Sequence, residues 1–454
     1  MEIEKLIESS VPEGLTLMPF QIEEIAKAIK FLTERHEHAI YNCCEQGLGK
    51  TIQTIVALNY LDITHAVFIV PAVAQYTWQA ELLLWSTLVK PEEIQIMDTT
   101  KSRVNPKAKY VICTYRKAAS LSVTAELGEF LANNHTPALI LDEAHNVKSG
   151  KAMRTKAVLR EIWPRAYYRI ALSGTPFTSS IADGYTLFSR MNQEAFPDFF
   201  MFTSRYCYER YTKWGTQYYG VKNAEELSRI IRSTFYLRRT KAEVLPELPD
   251  KTYTKLILPE DYLYIPKGMT KQEYKDLLKQ TMQDLQLGEV PKKLEASATI
   301  RREQGLLKVK PALEWLDDLV ASETPFILFA YHTEVIDQIR EHFKDFKPAV
   351  ITGATPAKER FNEVKRFQDG ETNIFIGQII AAGVNLTLTR ASTVILFEWD
   401  WSPATIAQAV DRAHRIGQKN AVNIYYFVVK DSIDESCAEH VMSKARAFNK
   451  VTEG

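Results

Sequence analysis

The sequence predicts an α/β protein in which two parallel-sheet domains follow one another, with mainly helical insertions between their strands. Strand-length apolar runs, each followed by polar or helix-forming sequence, fall into two groups within residues 39–173 and 326–428. Continuous apolar strands that alternate with helices are typical of parallel sheets covered on both faces. At roughly 100–200 residues per domain, the 454 residues have room for two to four cores.

The individual strands can be placed from these apolar, β-branched and aromatic runs. The first group is predicted at Ala39–Cys44, Ala66–Val70, Tyr110–Cys113, Ala138–Leu141 and Tyr168–Ser173, and the second at Phe326–Ala330, Asn373–Gly377, Thr393–Phe397 and Asn423–Val428. Between them, residues 177–235 are rich in aromatic side chains, and residues 268–305 are polar and helix-forming. We therefore expect a first domain at 1–245 with a helical insertion at 177–235, a linker and helical insertion at 246–310, and a second domain at 311–454.

Composition is that of a globular protein, with 46% hydrophobic and 25% charged residues. No apolar run is long enough to span a bilayer, the first residues are acidic, and the five cysteines form no Cys-x-x-Cys or Cys/His cluster. We expect a soluble cytoplasmic protein without a signal segment, a membrane span or a zinc site.

Net charge is zero, with 56 basic and 56 acidic residues, which by itself argues against a nucleic-acid partner. The charge is unevenly distributed, because residues 151–255 carry 18 basic and 10 acidic side chains, whereas residues 1–150 carry 13 and 18. A basic surface is therefore expected from the middle of the chain. Aromatic side chains interleaved with these charges suit either a core or stacking on bases, and a core is the commoner use.

A phosphate-binding loop is predicted between the first strand and the helical sequence after it. Residues 45–51 are Glu-Gln-Gly-Leu-Gly-Lys-Thr. Backbone N–H groups at a helix N-terminus, glycines, a lysine and a hydroxyl that can reach Mg²⁺ are what a nucleotide phosphate chain requires. Cys44 stands where such loops usually have a first glycine, so a chance match in an ordinary loop is the alternative. The predicted nucleotide-binding residues are Glu45, Gln46, Gly47, Leu48, Gly49, Lys50 and Thr51.

Two carboxylates follow the buried strand that ends at Leu141. Asp142 and Glu143 would lie at the carboxyl end of this strand, where Asp142, with Thr51, can hold Mg²⁺ and Glu143 can activate the attacking water. A solvated turn is the alternative for an isolated Asp-Glu pair. The phosphate-binding loop earlier in the same domain favours the catalytic interpretation.

A third motif lies in the second domain, where residues 408–418 are Gln-Ala-Val-Asp-Arg-Ala-His-Arg-Ile-Gly-Gln. Arg412 and Arg415 are predicted on one face of a helix, where planar guanidinium groups can meet a γ-phosphate. Gln408 completes the catalytic set of Lys50, Asp142, Glu143, Arg412 and Arg415. The alternative is a pair of surface arginines bound to Asp411 or Glu398.

Together these motifs resemble helicase superfamily two, and in particular its SWI/SNF-type branch of DNA-dependent translocases. Further similar blocks are Leu-Met-Pro-Phe-Gln at 17–21, Asp-Glu-Ala-His at 142–145, Leu-Ser-Gly-Thr-Pro at 172–176, Leu-Arg-Arg-Thr-Lys at 237–241 and Asp-Arg-Ala-His-Arg-Ile-Gly-Gln at 411–418. The resemblance implies that Gln21 recognises adenine. It also implies coupling of the ATP site to the nucleic-acid track by His145, Ser173, Gly174, Thr175 and Gly383.

The resemblance implies two RecA-like domains that use ATP and Mg²⁺ to move along double-stranded DNA. Residues 381–386 are more similar to the fork-remodelling and annealing members than to nucleosome remodellers. We therefore expect a compact, monomeric bacterial or bacteriophage-encoded enzyme of the bacterial cytoplasm or infected cell, which drives branch migration or fork reversal on forked and four-way DNA. The alternatives are a strand-separating DNA or RNA helicase, or a remodeller that displaces proteins from DNA.

Contacts to nucleic acid are expected from polar side chains near the strand ends, because hydroxyls, amides and cations hold phosphates without selecting a base. Candidates in the first domain and its insertion are Pro71, Gln75, Thr114, Tyr115, Arg116, Lys148, Arg205, Arg210 and Lys213. Candidates in the second domain are His332, Thr352, Gln378 and Asn385.

Overall fold

A computed structural model describes residues 2–97, 101–212, 215–286, 294–382, 386–415 and 417–452 of the chain. The chain divides into two compact units. The first comprises Met1–Tyr208, Val221–Val244 and Asn449–Gly454, and the second comprises Glu209–Gly220 and Leu245–Phe448. In the described part of the chain, no helix is both long and apolar enough to cross a membrane.

Elements up to residue 244 alternate between short buried strands and helices. The strands are β1 Ala39–Asn42, β2 Ala66–Val70, β3 Ile94–Ile96, β4 Tyr110–Thr114, β5 Ala138–Asp142, β6 Tyr168–Leu172, β7 Tyr208–Thr212, β8 Gly215–Tyr219 and β9 Tyr236–Leu237. The helices are α1 Glu2–Ser9, α2 Pro19–Glu34, α3 Lys50–Tyr60, α4 Gln75–Trp85, α5 Tyr115–Ala118, α6 Leu121–Ala132, α7 Met153–Lys156, α8 Tyr185–Met191, α9 Phe199–Tyr206, α10 Ala224–Arg232 and α11 Lys241–Val244.

The first unit is built on a parallel sheet of seven strands in the order β3-β4-β2-β5-β6-β1-β9. Strands β1 and β2 are buried along their whole length, as expected for a sheet covered on both faces. Because β1 and β5 each pair with β6, the carboxyl ends of β1, β5 and β6 meet at one edge. The loops that follow these strands carry the phosphate-binding loop, the carboxylate pair and the Ser173 turn.

The second half of the chain repeats the alternation. Its strands are β10 Lys251–Leu258, β11 Phe326–Ala330, β12 Ala349–Ile351, β13 Ile374–Gln378, β14 Thr393–Leu396 and β15 Val422–Val429. Its helices are α12 Lys271–Gln286, α13 Leu294–Leu307, α14 Val309–Ala321, α15 Thr333–His342, α16 Ala357–Gln368, α17 Ile379–Ala382, α18 Pro403–Val410 and α19 Ile433–Thr452. The six strands form a parallel sheet in the order β10-β15-β14-β11-β13-β12.

This architecture confirms the predicted fold class, and every strand predicted from an apolar run is present. Sequence reasoning missed β3, β9 and β12, which are only two or three residues long. It also missed β10, whose exposed middle and lysines at 251 and 255 hide it among polar sequence, as is common for edge strands.

The aromatic segment at 177–235 contains helices, as predicted, and also the two-stranded hairpin β7–β8. Several of its aromatic side chains form a buried cluster around Phe188, which contacts Phe196, Phe202 and Phe235 with ring centroids 5.4–6.2 Å apart. Others are exposed, among them Phe200 at 60% and Tyr211 of the hairpin at 77%. The core interpretation therefore holds for the Phe188 cluster.

Candidate functional site

The phosphate-binding loop leaves the end of β1 and enters α3 at Lys50. Gly47 and Gly49 have φ angles of 86° and 78°, in the left-handed region that glycine tolerates best. The Lys50 ammonium folds back onto the loop, where Nζ donates to the Cys44 carbonyl at 2.8 Å and the Glu45 carbonyl at 3.3 Å. The N-terminus of α3 and this cation together make an anion-binding site.

Gln21, in the first turn of α2, lies against this loop. Its Oε1 accepts from the Met18 backbone N–H at 2.9 Å, and its Nε2 donates to the Leu48 carbonyl at 3.3 Å. A Cβ atom added to Gly49 would come within 2.4 Å of Gln21 Nε2. Glycine is thus required at 49 by both the backbone angle and the neighbouring amide.

Two buried side-chain amides, Asn42 and Gln53, hydrogen-bond each other and the backbone of the phosphate-binding loop. The sequence analysis missed both. Asn42 Nδ2 donates to Gln53 Oε1 at 2.7 Å, while Asn42 Oδ1 accepts from the Cys44 N–H at 3.1 Å. Gln53 Nε2 then donates to the same Leu48 carbonyl at 2.9 Å. An asparagine at the end of a wholly buried strand was the available signal, because a buried amide needs partners.

Asp142 is the last residue of β5, and Glu143 follows it at the same edge of the sheet. Asp142 Oδ2 accepts from the Trp78 indole at 2.9 Å, and Oδ1 accepts from the Glu143 N–H at 3.0 Å. Burial, reinforced by the Glu143 carboxylate, raises the pKa of Asp142 to about 6. Burial also lowers the pKa of Lys50, although the neighbouring Glu143 carboxylate opposes that shift.

This donor set suits a hard divalent cation. Asp142 combines a buried carboxylate with a raised pKa, which reflects negative charge that its surroundings leave poorly compensated. Thr51 adds a hydroxyl in the first turn of α3. Carboxylate and hydroxyl oxygens beside a phosphate site are ligands that Mg²⁺ accepts, so Thr51 and Asp142 fit the predicted metal site.

Ser173 connects the carboxylates with the next loop. Its Oγ lies 3.4 Å from Glu143 Oε2 and 3.1 Å from His145 Nδ1, and it accepts from the Thr175 N–H at 3.2 Å. A Cβ atom added to Gly174 would lie 2.6 Å from Gln46 Cγ. Four of the five residues predicted to couple the site to its surroundings are thus joined at the sheet edge, and the fifth, Gly383, lies outside the described residues.

Residues 237–241 run alongside the phosphate-binding loop. Arg238 Nη1 donates to the carbonyls of Cys43 at 2.8 Å and Gly174 at 3.3 Å. The Arg239 carbonyl accepts from the Glu45 N–H, and its guanidinium forms ion pairs with Glu23 and Glu24, each at 2.9 Å. Part of the positive charge of the middle segment therefore holds the nucleotide site together.

Several predicted nucleic-acid contacts of the first domain are engaged within the protein. Gln75 is 6% exposed, and the Tyr115 hydroxyl donates to the Asp142 carbonyl at 2.8 Å. Lys148 lies 3.7 Å from Asp183, and Arg205 forms a two-pronged ion pair with Glu226 at 2.7 and 2.9 Å.

The remaining candidates of this group differ in exposure. Arg116 and Arg210 are exposed, Pro71 precedes a short 3-10 turn, and Thr114 caps α5 by accepting from the Lys117 N–H. Lys213 lies outside the described residues.

Arg412 and Arg415 lie together in the second unit. Helix α18, which carries Gln408, ends at Val410, so the prediction that both arginines lie on a helix is wrong. Both nevertheless reach one carbonyl, since Arg412 Nη1 and Arg415 Nη1 lie 3.3 and 3.2 Å from the Leu386 oxygen. Of the alternative partners proposed for them, Asp411 lies 3.6 Å from Lys251 and Glu398 binds His332.

The predicted nucleic-acid contacts His332, Gln378 and Thr352 lie in a row across the carboxyl ends of β11, β13 and β12, where Gln378 hydrogen-bonds the neighbours of the other two. His332 follows β11, and the Tyr331 carbonyl accepts from Gln378 Nε2 at 3.1 Å. Gln378 Oε1 in turn accepts from the Gly353 N–H at 2.7 Å, beside Thr352. Arg360 reaches the Thr352 carbonyl at 3.2 Å from α16. Asn385 lies outside the described residues.

Comparison with known proteins gives consistent matches. Residues 26–304 match the SNF2-related domain, and residues 311–417 match the helicase conserved C-terminal domain. The SWI/SNF-related matrix-associated actin-dependent regulator of chromatin subfamily A-like protein 1 of Xenopus laevis is 30% identical over 458 residues, which cover 99% of this chain and 46% of that protein.

A second relative is the DNA annealing helicase and endonuclease ZRANB3 of Bos taurus, 29% identical over 96% of this chain and 41% of that protein. The chain thus spans less than half the length of these relatives. Among solved structures, the Sulfolobus solfataricus SWI2/SNF2 ATPase core in complex with dsDNA is 22% identical over 97% of both chains, with a TM-score of 0.45.

Proposed function

The chain belongs to the SNF2-related family of helicase-type, DNA-dependent ATPases, and from this premise we propose that it moves along double-stranded DNA and remodels branched DNA. Branch migration and fork reversal are the activities that such movement produces on four-way and forked substrates. Members of this family hydrolyse ATP, and double-stranded DNA is the proposed substrate along which this chain moves.

The observation that supports the proposal is the combination of a phosphate-binding loop and two carboxylates at one sheet edge of the first unit. Lys50 lies at the N-terminus of α3, and the partly buried carboxylates of Asp142 and Glu143 lie at the end of β5. A binding module that no longer hydrolyses ATP would have no reason to keep this combination of a phosphate-binding lysine with two carboxylates. The hydrogen-bonded Trp78 further holds Asp142 in one orientation.

We assign the individual roles from chemistry and position. Gly47 and Gly49 let the loop backbone approach the phosphates, Lys50 binds their charge, and Gln21 selects the base. Thr51 and Asp142 would hold Mg²⁺, which when bound neutralises charge on the phosphates. Glu143 accepts the proton of the attacking water, because a carboxylate next to the phosphate-binding loop can act as a base; Ser173 lies 3.4 Å from its Oε2.

Coupling between hydrolysis and DNA is proposed to run through Ser173. Its hydroxyl contacts both Glu143 and His145, so a change at the Glu143 carboxylate alters the hydrogen bonds of the Ser173–Thr175 loop. In the second unit, the row that joins His332, Gln378 and Thr352 is the proposed phosphate-binding edge. Participation of Gln408, Arg412 and Arg415 in hydrolysis stays a prediction.

The preference for branched DNA is supported by the relatives. One is named a DNA annealing helicase and endonuclease, and this chain aligns with 41% of it. Near-zero net charge also suits a motor that must release its track, because tight phosphate binding would hold the enzyme in place.

An ATP-dependent branch-migration assay tests the proposal. Synthetic four-way junctions, replication forks and plain duplexes of equal length are incubated with the full chain, with Glu143→Gln as the control. We expect ATP-dependent conversion of junctions and forks to their migrated products, which Glu143→Gln does not form. Conversion of plain duplex to single strands at the same rate would instead favour a strand-separating helicase.

A further inference from the structure

Glu398, just after β14, is a buried carboxylate surrounded by donors. It is 2% exposed, and its Oε2 accepts from the backbone N–H groups of Tyr331 at 2.8 Å and His332 at 2.9 Å. Its Oε1 lies 2.6 Å from His332 Nδ1. One side chain therefore fixes the turn between β11 and α15 at three points.

The helical segment before β11 encloses this carboxylate. A Cβ atom added to Gly305 would lie 2.5 Å from Glu398 Oε1, so α13 leaves no room for the carboxylate to swing away. Arg301 of the same helix has its guanidinium 4.6 Å from the Tyr331 ring and 4.9 Å from the Trp401 ring. The Tyr331–His332 turn is thus held from two sides, by charge and by stacking.

The ring of His332 can take only one orientation toward Glu398. Burial would raise the pKa of Glu398, but its hydrogen bonds with His332 and the nearby positive charge, including that of Lys308, outweigh burial and lower that pKa, so the group is an anion near neutral pH. A carboxylate only accepts hydrogen bonds, and Nδ1 must therefore carry a proton. Among the residues that the structure describes, Nε2 of this ring has no hydrogen-bond partner.

We propose that Glu398 is a positioning residue for nucleic-acid binding by the second unit: it fixes the Tyr331–His332 turn and directs His332 so that Nε2 contacts a DNA phosphate. The inference rests on the proposed function, since it needs DNA at this edge of the sheet. Through the Tyr331 carbonyl and Gln378, the same carboxylate also sets the position of the Thr352–Gly353 loop.

A contact from Nε2 to a phosphate requires a particular protonation state of the His332 ring. With Nδ1–H committed to Glu398, Nε2 can donate to a phosphate only when the ring is doubly protonated. The charged groups near His332 belong to three sets. Glu398 has Lys308 as a neighbour, and Lys308 in turn pairs with Asp434 at 2.7 Å. Arg301 lies over the Tyr331 ring, and Glu334, on the helix that follows His332, lies 3.4 Å from Arg302.

The test measures KM for duplex DNA and kcat in DNA-stimulated ATP hydrolysis by the full chain. Glu398→Gln nearly keeps the shape but replaces an acceptor oxygen with a donor, and it should raise the KM for DNA about tenfold, more than it lowers kcat. His332→Ala should have the same effect, and the double variant should be no worse than His332→Ala alone, because Glu398 acts through His332. Glu334→Gln, an exposed acid on the same helix, is the matched control and should leave KM unchanged.

His332→Gln keeps the inference testable even if Glu398→Gln fails to fold. It removes the ring that Glu398 orients, so it should raise the KM for DNA as His332→Ala does, without a matching loss of kcat. An unchanged KM in a folded Glu398→Gln, additive effects in the double variant, or a wild-type KM for DNA in His332→Gln would each overturn the inference. A wild-type chain that no DNA stimulates would instead overturn the proposed function.

Discussion

Gly49→Ala is the substitution that most directly tests the geometry of the nucleotide site. Gly49 has a φ angle of 78°, and an alanine in this left-handed conformation costs about 1–2 kcal/mol. The added Cβ would also come within 2.4 Å of Gln21 Nε2, so the buried amide must move away from the Leu48 carbonyl. Losing that hydrogen bond in a buried position costs about 1–3 kcal/mol more.

Gly14 provides a matched control in the same unit. Its φ angle is 83°, but a Cβ atom there meets nothing within 4 Å. Gly14→Ala should therefore carry the backbone cost alone. At about 2–4 °C per kcal/mol for a unit of this size, Gly49→Ala should melt several degrees below Gly14→Ala.

The nucleotide affinity separates the two substitutions further. Because Gly49 lies where α3 presents its N–H groups to phosphate, Gly49→Ala should raise the KM for ATP about tenfold, which corresponds to about 1.4 kcal/mol. Gly14→Ala should leave that KM unchanged. Steady-state ATP hydrolysis and thermal unfolding measure both quantities, and equal KM values for the two variants would refute the proposed role of the loop.

Four further substitutions test other parts of the site and fold. Glu143→Gln should lower kcat for ATP hydrolysis by about 10²–10⁴ while ATP still binds in an equilibrium assay, and turnover near the wild-type rate would contradict its role as the base. Trp78→Phe removes the indole that donates to Asp142, so kcat should fall about tenfold and a higher Mg²⁺ concentration should be needed for half-maximal ATP hydrolysis. Trp85→Phe, also on α4, is the control and should change neither quantity. Gln53→Leu should raise the KM for ATP and destabilise the chain by about 1–3 kcal/mol, because Asn42 loses its partner; unchanged melting would show that this hydrogen bond is dispensable. Lys308→Met should lower the free energy of unfolding by about 3–5 kcal/mol, because the buried Asp434 carboxylate loses its cation. Lys344→Met, at an exposed ion pair, is the control and should leave the free energy of unfolding unchanged in a urea titration.

The sequence was most informative where burial and chemistry coincide. Strand β2 is fully apolar, and β5 is apolar up to its last residue, Asp142, because both faces of a parallel sheet are covered; this makes both strands visible as apolar runs. The phosphate-binding loop and the Asp142–Glu143 pair could be located because each directly follows such a strand. Edge strand β10 gave no comparable signal, since its middle is exposed to solvent.

Side-chain partners that lie far apart in the chain could not be predicted. Tyr115 was expected near nucleic acid, but it donates to the Asp142 carbonyl from 27 residues away, and Trp78 donates to the Asp142 carboxylate from 64 residues away. The end of α18 was missed for a related reason. The Arg412 carbonyl accepts from the Leu388 N–H at 2.9 Å, a tertiary contact that competes with a longer helix and that local propensity does not contain.

ATP hydrolysis measured side by side with duplex DNA, single-stranded DNA and RNA of matched length is the most direct test of the central claim. Movement along double-stranded DNA predicts that, of these three nucleic acids, duplex DNA gives the highest kcat/KM. Forked DNA should raise kcat/KM further, and no DNA should stimulate Glu143→Gln. Strongest stimulation by RNA would contradict the account and identify the chain as an RNA-dependent ATPase.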